Sequence, residues 1–246
     1  MKKNLCALFF TLIASALVYS QTPTAMELLR RVDNNEVFQT IQYQGEMIIE
    51  YQNRRVVKTM NAWARGNEDS FIEFTNREDL GSRYLKTGGR LFFTSPDTER
   101  AMVISGHMLR ESMMGSDLSY EDTLDNIPLS ERYSAQILRT ETHNGRPAWV
   151  LELTANDRSE SYSTRRLWID QEHYDVLRQE MFALSGAMLK EYNLIQVDVI
   201  DGRRFPVETE FRDLLRRGSS TRFIMRNVIL DQPIADSIFT VRNLER

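Results

Sequence analysis

From residue 40 onward the chain alternates apolar and polar positions with a period of two. Ile41, Tyr43, Met47, Ile49 and Tyr51 are interleaved with Gln42, Gln44, Glu46 and Glu50, the pattern of a strand with one buried face and one wet face. Turn signals recur at the spacing of a meander: Asn53-Arg54, Gly66-Asn67, Gly88-Gly89, Ser95-Pro96-Asp97, Asn144-Gly145, Asp201-Gly202 and Arg217-Gly218. Gly-Gly, Asn-Gly and Asp-Gly supply the positive φ that tight hairpins need. The strands predicted between these turns are 40–51, 54–65, 69–75, 82–87, 90–95, 100–104, 134–142, 147–154, 163–170, 174–184, 187–199, 205–215 and 220–230. Several reach ten residues, beyond the usual five or six. Such strands joined by short turns predict an antiparallel, mostly β fold, a broad curved sheet or an open barrel rather than a compact sandwich.

Two stretches depart from this period. Residues 25–38 read as an amphipathic helix with Met26, Leu29, Val32 and Val37 along one side. Residues 106–128 carry no strand pattern, and Met108, Leu109, Ser112 and Met113 suit helical spacing, so two short helices are predicted there. Asp117, Glu121, Asp122 and Asp125 give the second half an acidic face, and Ser119-x-x-Asp122 resembles a capping box. No Pro/Ser-rich linker, repeat or low-complexity tract divides the chain, which predicts one domain over residues 21–246.

The first twenty residues read as a secretory leader. Lys2 and Lys3 precede an uncharged apolar run over residues 5–18, and Val18 and Ser20 suit the −3 and −1 positions of a cleavage before Gln21. Cys6, the single cysteine, lies inside that run with no lipobox ahead of it. The mature chain is therefore expected in the periplasm, without a disulfide, held by its core alone. Cleavage removes two lysines and no acid, which takes the net charge from −4 to −6. That balance argues against a general nucleic-acid binder. Arginines on both faces of several strands argue against an outer-membrane barrel, where a charge facing lipid costs about 2–4 kcal/mol at mid-depth.

The catalytic inventory is sparse. His107, His143 and His173 are far apart and have no partner at metal-ligand spacing. There is no nucleophile elbow or phosphate-cradling glycine loop. Asp117, Glu121 and Asp122 lack the loop glycine and terminal bidentate acid of a calcium hand, and read as a solvated face. No catalytic residue, metal or cofactor is predicted. What remains is methionine, an unbranched and polarisable side chain that conforms to variable apolar partners. Met47, Met181 and Met225 sit on alternating strands and read as core filling. Met108, Met113 and Met114 read either as core or as the underside of a lid hinged at Gly106 and Gly115.

The stretch from Ser112 through Met113, Met114, Gly115, Ser116, Asp117, Leu118, Ser119, Tyr120, Glu121 and Asp122 resembles the motif of the LolA-like outer-membrane lipoprotein-sorting family. So do Gly89-Arg90-Leu91 and Thr94-Ser95-Pro96 before it, and Gly202-Arg203-Arg204-Phe205-Pro206 and Ile234-Ala235-Asp236-Ser237-Ile238-Phe239 after it. The resemblance covers essentially the whole mature chain and is greatest to the uncharacterised branch. It implies a half-open antiparallel β-barrel with short helices as a lid over an apolar cavity. Met108, Leu109, Met113, Met114, Leu118 and Tyr120 would then form the lipid-facing lid, and Gly115, Ser116, Asp117, Glu121 and Asp122 the family motif. The implied function is a periplasmic carrier or chaperone for the acyl chains of lipoproteins or another envelope lipid. A sensor or accessory subunit docking on an inner-membrane transporter or regulator is the alternative, and a lipid-hydrolysing enzyme the third. The family's lid-latching arginine has three candidates here: Arg54, Arg55 and Arg65.

Overall fold

A computed structural model describes residues 22–35, 38–98, 100–124 and 127–246. The predicted leader, Val37 and Asp125 lie outside the described residues. Six strands precede the helical connection: β1 (Thr40–Tyr51), β2 (Arg54–Arg65), β3 (Asp69–Phe74), β4 (Arg83–Thr87), β5 (Arg90–Thr94) and β6 (Met102–Ile104). Seven follow it: β7 (Tyr133–His143), β8 (Arg146–Ala155), β9 (Thr164–Asp170), β10 (Val176–Phe182), β11 (Met188–Ile200), β12 (Arg203–Asp213) and β13 (Ser219–Leu230). Every predicted strand is present, with shifts of at most two residues at the ends.

The strands form one antiparallel sheet in the order β6-β5-β4-β3-β2-β1-β13-β12-β11-β10-β9-β8-β7. Neighbours in sequence are neighbours in the sheet everywhere except between β6 and β7. The first and last strands pair, Ile41 opposite Leu230 through Tyr51 opposite Ser219, and β6 and β7 are left as the two free edges. The segment between β6 and β7 therefore has to cross from one edge to the other, and it does so over the concave face. The sheet is a half-open barrel and the helical connection is its cover.

The helices are shorter than the periodicity predicts. The first, α1 (Ala25–Asp33), opens on a capping box in which Thr24 and Glu27 satisfy each other's backbone N–H groups. It stops at Asn34, whose backbone N–H and side-chain amide both turn back to the Arg30 carbonyl. Where two helices are predicted over 106–128, the chain makes two 3₁₀ turns, Gly106–Arg110 and Met113–Gly115, and then α2 (Tyr120–Leu124). Ser112 forms an isolated bridge with Ser119, which folds the segment back on itself and interrupts any longer helix. The predicted capping box is present, with Ser119 N donating to Asp122 at 2.7 Å and Asp122 N donating to Ser119 Oγ at 3.4 Å. A further turn, α3 (Leu129–Arg132), leads into β7, and its first two N–H groups donate to Asp33 of α1 at 3.0 Å.

Three apolar clusters position these elements. On the concave face of β7 to β9, Tyr133, Trp149, Leu151, Leu153, Leu167 and Ile169 are buried under Leu28 and Leu29 of α1. On the concave face of β1 to β5, Met47, Ile49, Met60, Phe74, Tyr84 and Leu91 are buried under the segment 109–124. On the opposite face of β3 to β5, Phe71, Leu85 and Phe92 pack with Phe239 and Leu244 near the C-terminus. Among the described residues no helix is long and apolar enough to cross a membrane.

Candidate functional site

Between the concave face and the helical segment lies a cavity of about 370 Å³. Its walls come from β1 (Tyr43, Met47), β2 (Met60, Ala62, Ala64), β3 (Ser70, Ile72), β12 (Pro206, Thr209, Phe211) and β13 (Phe223, Met225), with Tyr192 of β11 and, from the cover, Met113, Leu118 and Thr123. The volume falls at the lower end of the roughly 300–1,000 Å³ of small-molecule pockets. Met47 and Met225, which read as ordinary core from the alternation alone, face this space.

Local sequence explains why the wall is hollow here. Gly45 lies mid-strand, and a Cβ there would come within 2.9 Å of Met60 Cγ and 3.4 Å of Phe223 Cζ. The missing side chain lets Met60 and Phe223 close over the strand. A bulge between Gln42 and Gln44 interrupts the pairing of β1 with β13 at Tyr43. Tyr43 sits edge-on to Phe223 with ring centroids 6.1 Å apart, and burial pushes its phenol up to about 12. Farther along, β12 and β13 pair only over Glu208–Phe211 and Thr221–Ile224. Pro206, which has no N–H to give a ladder, stands just beyond the last pair. The two strands splay below it, and Pro206 and Met225 line the cavity at that splay.

The cover is held by polar bonds that the sequence does not reveal. Asp117, expected on a solvated acidic face, is 1% exposed and lies outside any helix. Ser219 Oγ donates to its Oδ1 at 2.5 Å, Thr221 Oγ1 to its Oδ2 at 2.6 Å, and the Asp213 backbone N–H to Oδ1 at 3.0 Å. The Asp117 backbone N–H in turn donates to Thr221 Oγ1 at 2.9 Å. Arg216, in the β12–β13 turn, donates to the Ser116 carbonyl at 2.6 Å and the Gly115 carbonyl at 3.0 Å, while its guanidinium rests over the Tyr51 ring. Arg216 thus ties the cover to the β12–β13 turn. Arg54 and Arg55 are exposed, and Arg65 binds Asp69 and Asp236.

A second latch closes the far end. Lys190 of β11 and Tyr162 both donate to Asp122, and Ser161 donates to Glu121 at 2.7 Å. Burial alone would raise the Asp122 pKa, but the Lys190 ammonium and the Ser119 bonds outweigh it and hold the carboxyl below its ordinary range. Among the described residues no group of three or more His, Cys, Asp or Glu side chains is placed to hold a metal ion.

The sequence-predicted apolar residues divide. Met113, 4% exposed, and Leu118 face the cavity. Leu109, Met114 and Tyr120 pack beside it on the β1–β5 half. Met108 is 41% exposed, because the Gly106–Arg110 turn presents it to solvent. Met114 adopts the left-handed region, φ 53°, ahead of Gly115 at φ 81°. That conformation costs an L-residue on the order of 1–2 kcal/mol. Its sulfur accepts from Tyr84 Oη at 3.1 Å, and Tyr84 Oη also lies 3.2 Å from Tyr120 Oη. His107 is exposed, and Ser112 Oγ donates to the Ser116 carbonyl and accepts from Arg216. His143 sits beside Trp168, and His173 is in the β9–β10 turn.

The fold recurs in solved structures. A DUF1329 family protein from Desulfovibrio piger ATCC 29098 superposes with a TM-score of 0.81 at 21% identity, over 89% of this chain and 97% of its own. A domain assigned to outer membrane lipoprotein sorting, from Vibrio parahaemolyticus, gives 0.80 at 21% identity, over 90% and 98%. A LolA superfamily protein from Nitrosomonas europaea gives 0.72 at 23% identity, over 89% and 98%. At these identities the likeness is one of fold. No curated protein matches the chain. Residues 66–246 match the model of a family described as uncharacterized protein. The chain belongs to that family, and its architecture is that of the LolA-like lipoprotein-sorting proteins.

Proposed function

We propose that this protein is a periplasmic carrier that shields the acyl chains of a lipoprotein or another envelope lipid between the sheet and the latched cover. The observation that carries this reading is the apolar cavity under the cover, walled by Met47, Met60, Met113, Met225, Phe211 and Phe223. Acyl chains present no hydrogen-bonding groups and vary in length and kinks. A wall of methionine adapts to them, and each methylene removed from water contributes about 0.8 kcal/mol. Carriage needs no catalytic group or cofactor. The lipoprotein-sorting assignment of the Vibrio parahaemolyticus domain, which shares the fold, supports the same reading. The predicted leader would deliver the chain to the periplasm as one domain over residues 21–246.

Native mass spectrometry of the protein released from the periplasm tests this. Carriage predicts a population whose mass exceeds the polypeptide by one acylated ligand, lost on organic extraction. A protein that is ligand-free on release and stays so after incubation with envelope lipids would contradict it.

A further inference from the structure

Three lysines lie among the described residues, and all three are buried. Lys58 pairs with Asp79 and Lys190 with Asp122. Lys86, 5% exposed, has no hydrogen-bond or ion-pair partner among the described residues. Its position in the sheet follows from the register. Ala64 is opposite Ser70, Ser70 opposite Lys86, and Lys86 opposite Leu91. Residues opposite each other in an antiparallel pair share a face, and Ala64 and Ser70 both line the cavity. Tyr84, two residues before Lys86 on β4, touches Met114 and Tyr120 of the cover. Strand alternation therefore turns Lys86 toward the concave side as well.

The surroundings of Lys86 are mixed. Glu68 is exposed in the β2–β3 turn, and Asp69 already accepts from Arg65 and Thr87. Burial lowers the lysine's pKa despite the opposing pull of these two acids. The Ser70 hydroxyl likewise has no hydrogen-bond partner among the described residues. Neither acid is within ion-pair distance of Lys86, so the ammonium keeps its hydrogen-bonding capacity for an anion that arrives beside it. Ser70 lines the apolar chamber and Lys86 stands next to it in the sheet, at the chamber's border, an arrangement that suits a ligand with an apolar tail and an anionic head.

We propose that Lys86, with Ser70 opposite it, anchors the anionic head of an acyl ligand whose chain lies in the cavity. The cargo is then an anionic amphiphile, with a carboxylate or a phosphate head, rather than a neutral acyl group. This rests on the carrier reading above and names the chemical class of its ligand.

Fluorescence titration of delipidated protein with parinaric acid and with its methyl ester separates the possibilities. The acid should bind at least about tenfold more tightly, a difference of about 1.4 kcal/mol. Lys86→Met, which keeps the apolar stem, should bring the acid down to the affinity of the ester and leave the ester unchanged. Competition by oleate against lysophosphatidic acid then reports whether carboxylate or phosphate is preferred. Equal binding of acid and ester by the wild type, or a Lys86→Met protein that still prefers the acid, overturns the anchor and leaves the carrier reading standing. Binding of neither probe overturns both. Should Lys86→Met fail to fold, the wild-type comparison of acid and ester decides by itself, and Lys86→Gln provides the second variant.

Discussion

The two halves of the concave face are covered in the same way and filled in opposite ways. Over β7 to β9, α1 seats Leu28 and Leu29 against Leu151, Leu153, Leu167 and Ile169, all of them fully buried. Over β1 to β5, the segment 109–124 seats Met113 and Leu118 against methionines and aromatics and leaves a chamber between. The first cover is held by its apolar side, with Arg31 donating to Tyr174 and Asn35 to the His173 carbonyl at its edge. The second is held by the Asp117, Arg216 and Asp122 bonds to hairpins elsewhere in the chain. On the carrier reading, stability resides in the first half and binding in the second. Branched aliphatic side chains fill one half and are fully buried there. The other half keeps a void, and its cover is secured by polar contacts in addition to the apolar contacts of Met113 and Leu118.

The largest expected effect comes from cutting into the sealed half. Leu151→Ala should destabilise the protein by about 2–5 kcal/mol, the range for a buried leucine whose cavity cannot collapse. Acyl-probe affinity of the remaining folded protein should be unchanged. Denaturant titration with parallel probe binding checks it, and a loss of affinity at retained stability would erase the contrast between the halves.

A smaller effect is expected at the latch. Asp117→Asn keeps the size but leaves a neutral group among three donors, each bond to a charged acceptor being worth about 1.5–3 kcal/mol. Hydrogen exchange in residues 106–124 should accelerate by at least an order of magnitude while β7 to β9 stay protected. Uniform acceleration across both halves would mean that the cover is part of the common core.

The smallest effect is a pH dependence of the second latch. The folded Asp122 carboxyl lies below its ordinary value of 3.8. Its contribution is thus complete above that value and is lost as pH falls through the lower, folded one. Cover exchange should rise as the pH is taken below about 4, and Asp122→Asn should flatten that rise. An unchanged profile in the variant would assign the acid sensitivity to other carboxylates.

The sheet was almost wholly legible in the sequence because its information is local. Alternation and Gly/Asn turns place β1 and β2 to the residue. The latches were not legible for the converse reason. Asp117 sits among acids that look like a wet helix face, and its partners Ser219 and Thr221 are about a hundred residues away. Arg216 lies in a hairpin turn, where an arginine ordinarily meets only water, whereas Arg54, Arg55 and Arg65 lie on the early strand that the family resemblance suggests. Met108 matched its neighbours in hydropathy and still faces solvent, since a 3₁₀ turn does not keep the α-helical face. Gly45 was within reach: a glycine inside an otherwise regular strand signals close approach of its neighbours.

On the carrier reading, the chamber under the latched cover holds an acyl chain. Met225 on β13 lines that chamber and is only partly buried, so Met225→Trp should occupy the space without emptying any of the core. The decisive measurement is titration of wild type and Met225→Trp with a fluorescent fatty-acid methyl ester. An acyl chain in this chamber predicts saturable binding by the wild type and at least about tenfold weaker binding by the variant, about 1.4 kcal/mol, with unfolding temperatures alike. Equal binding by two folded proteins would place the ligand elsewhere and contradict it.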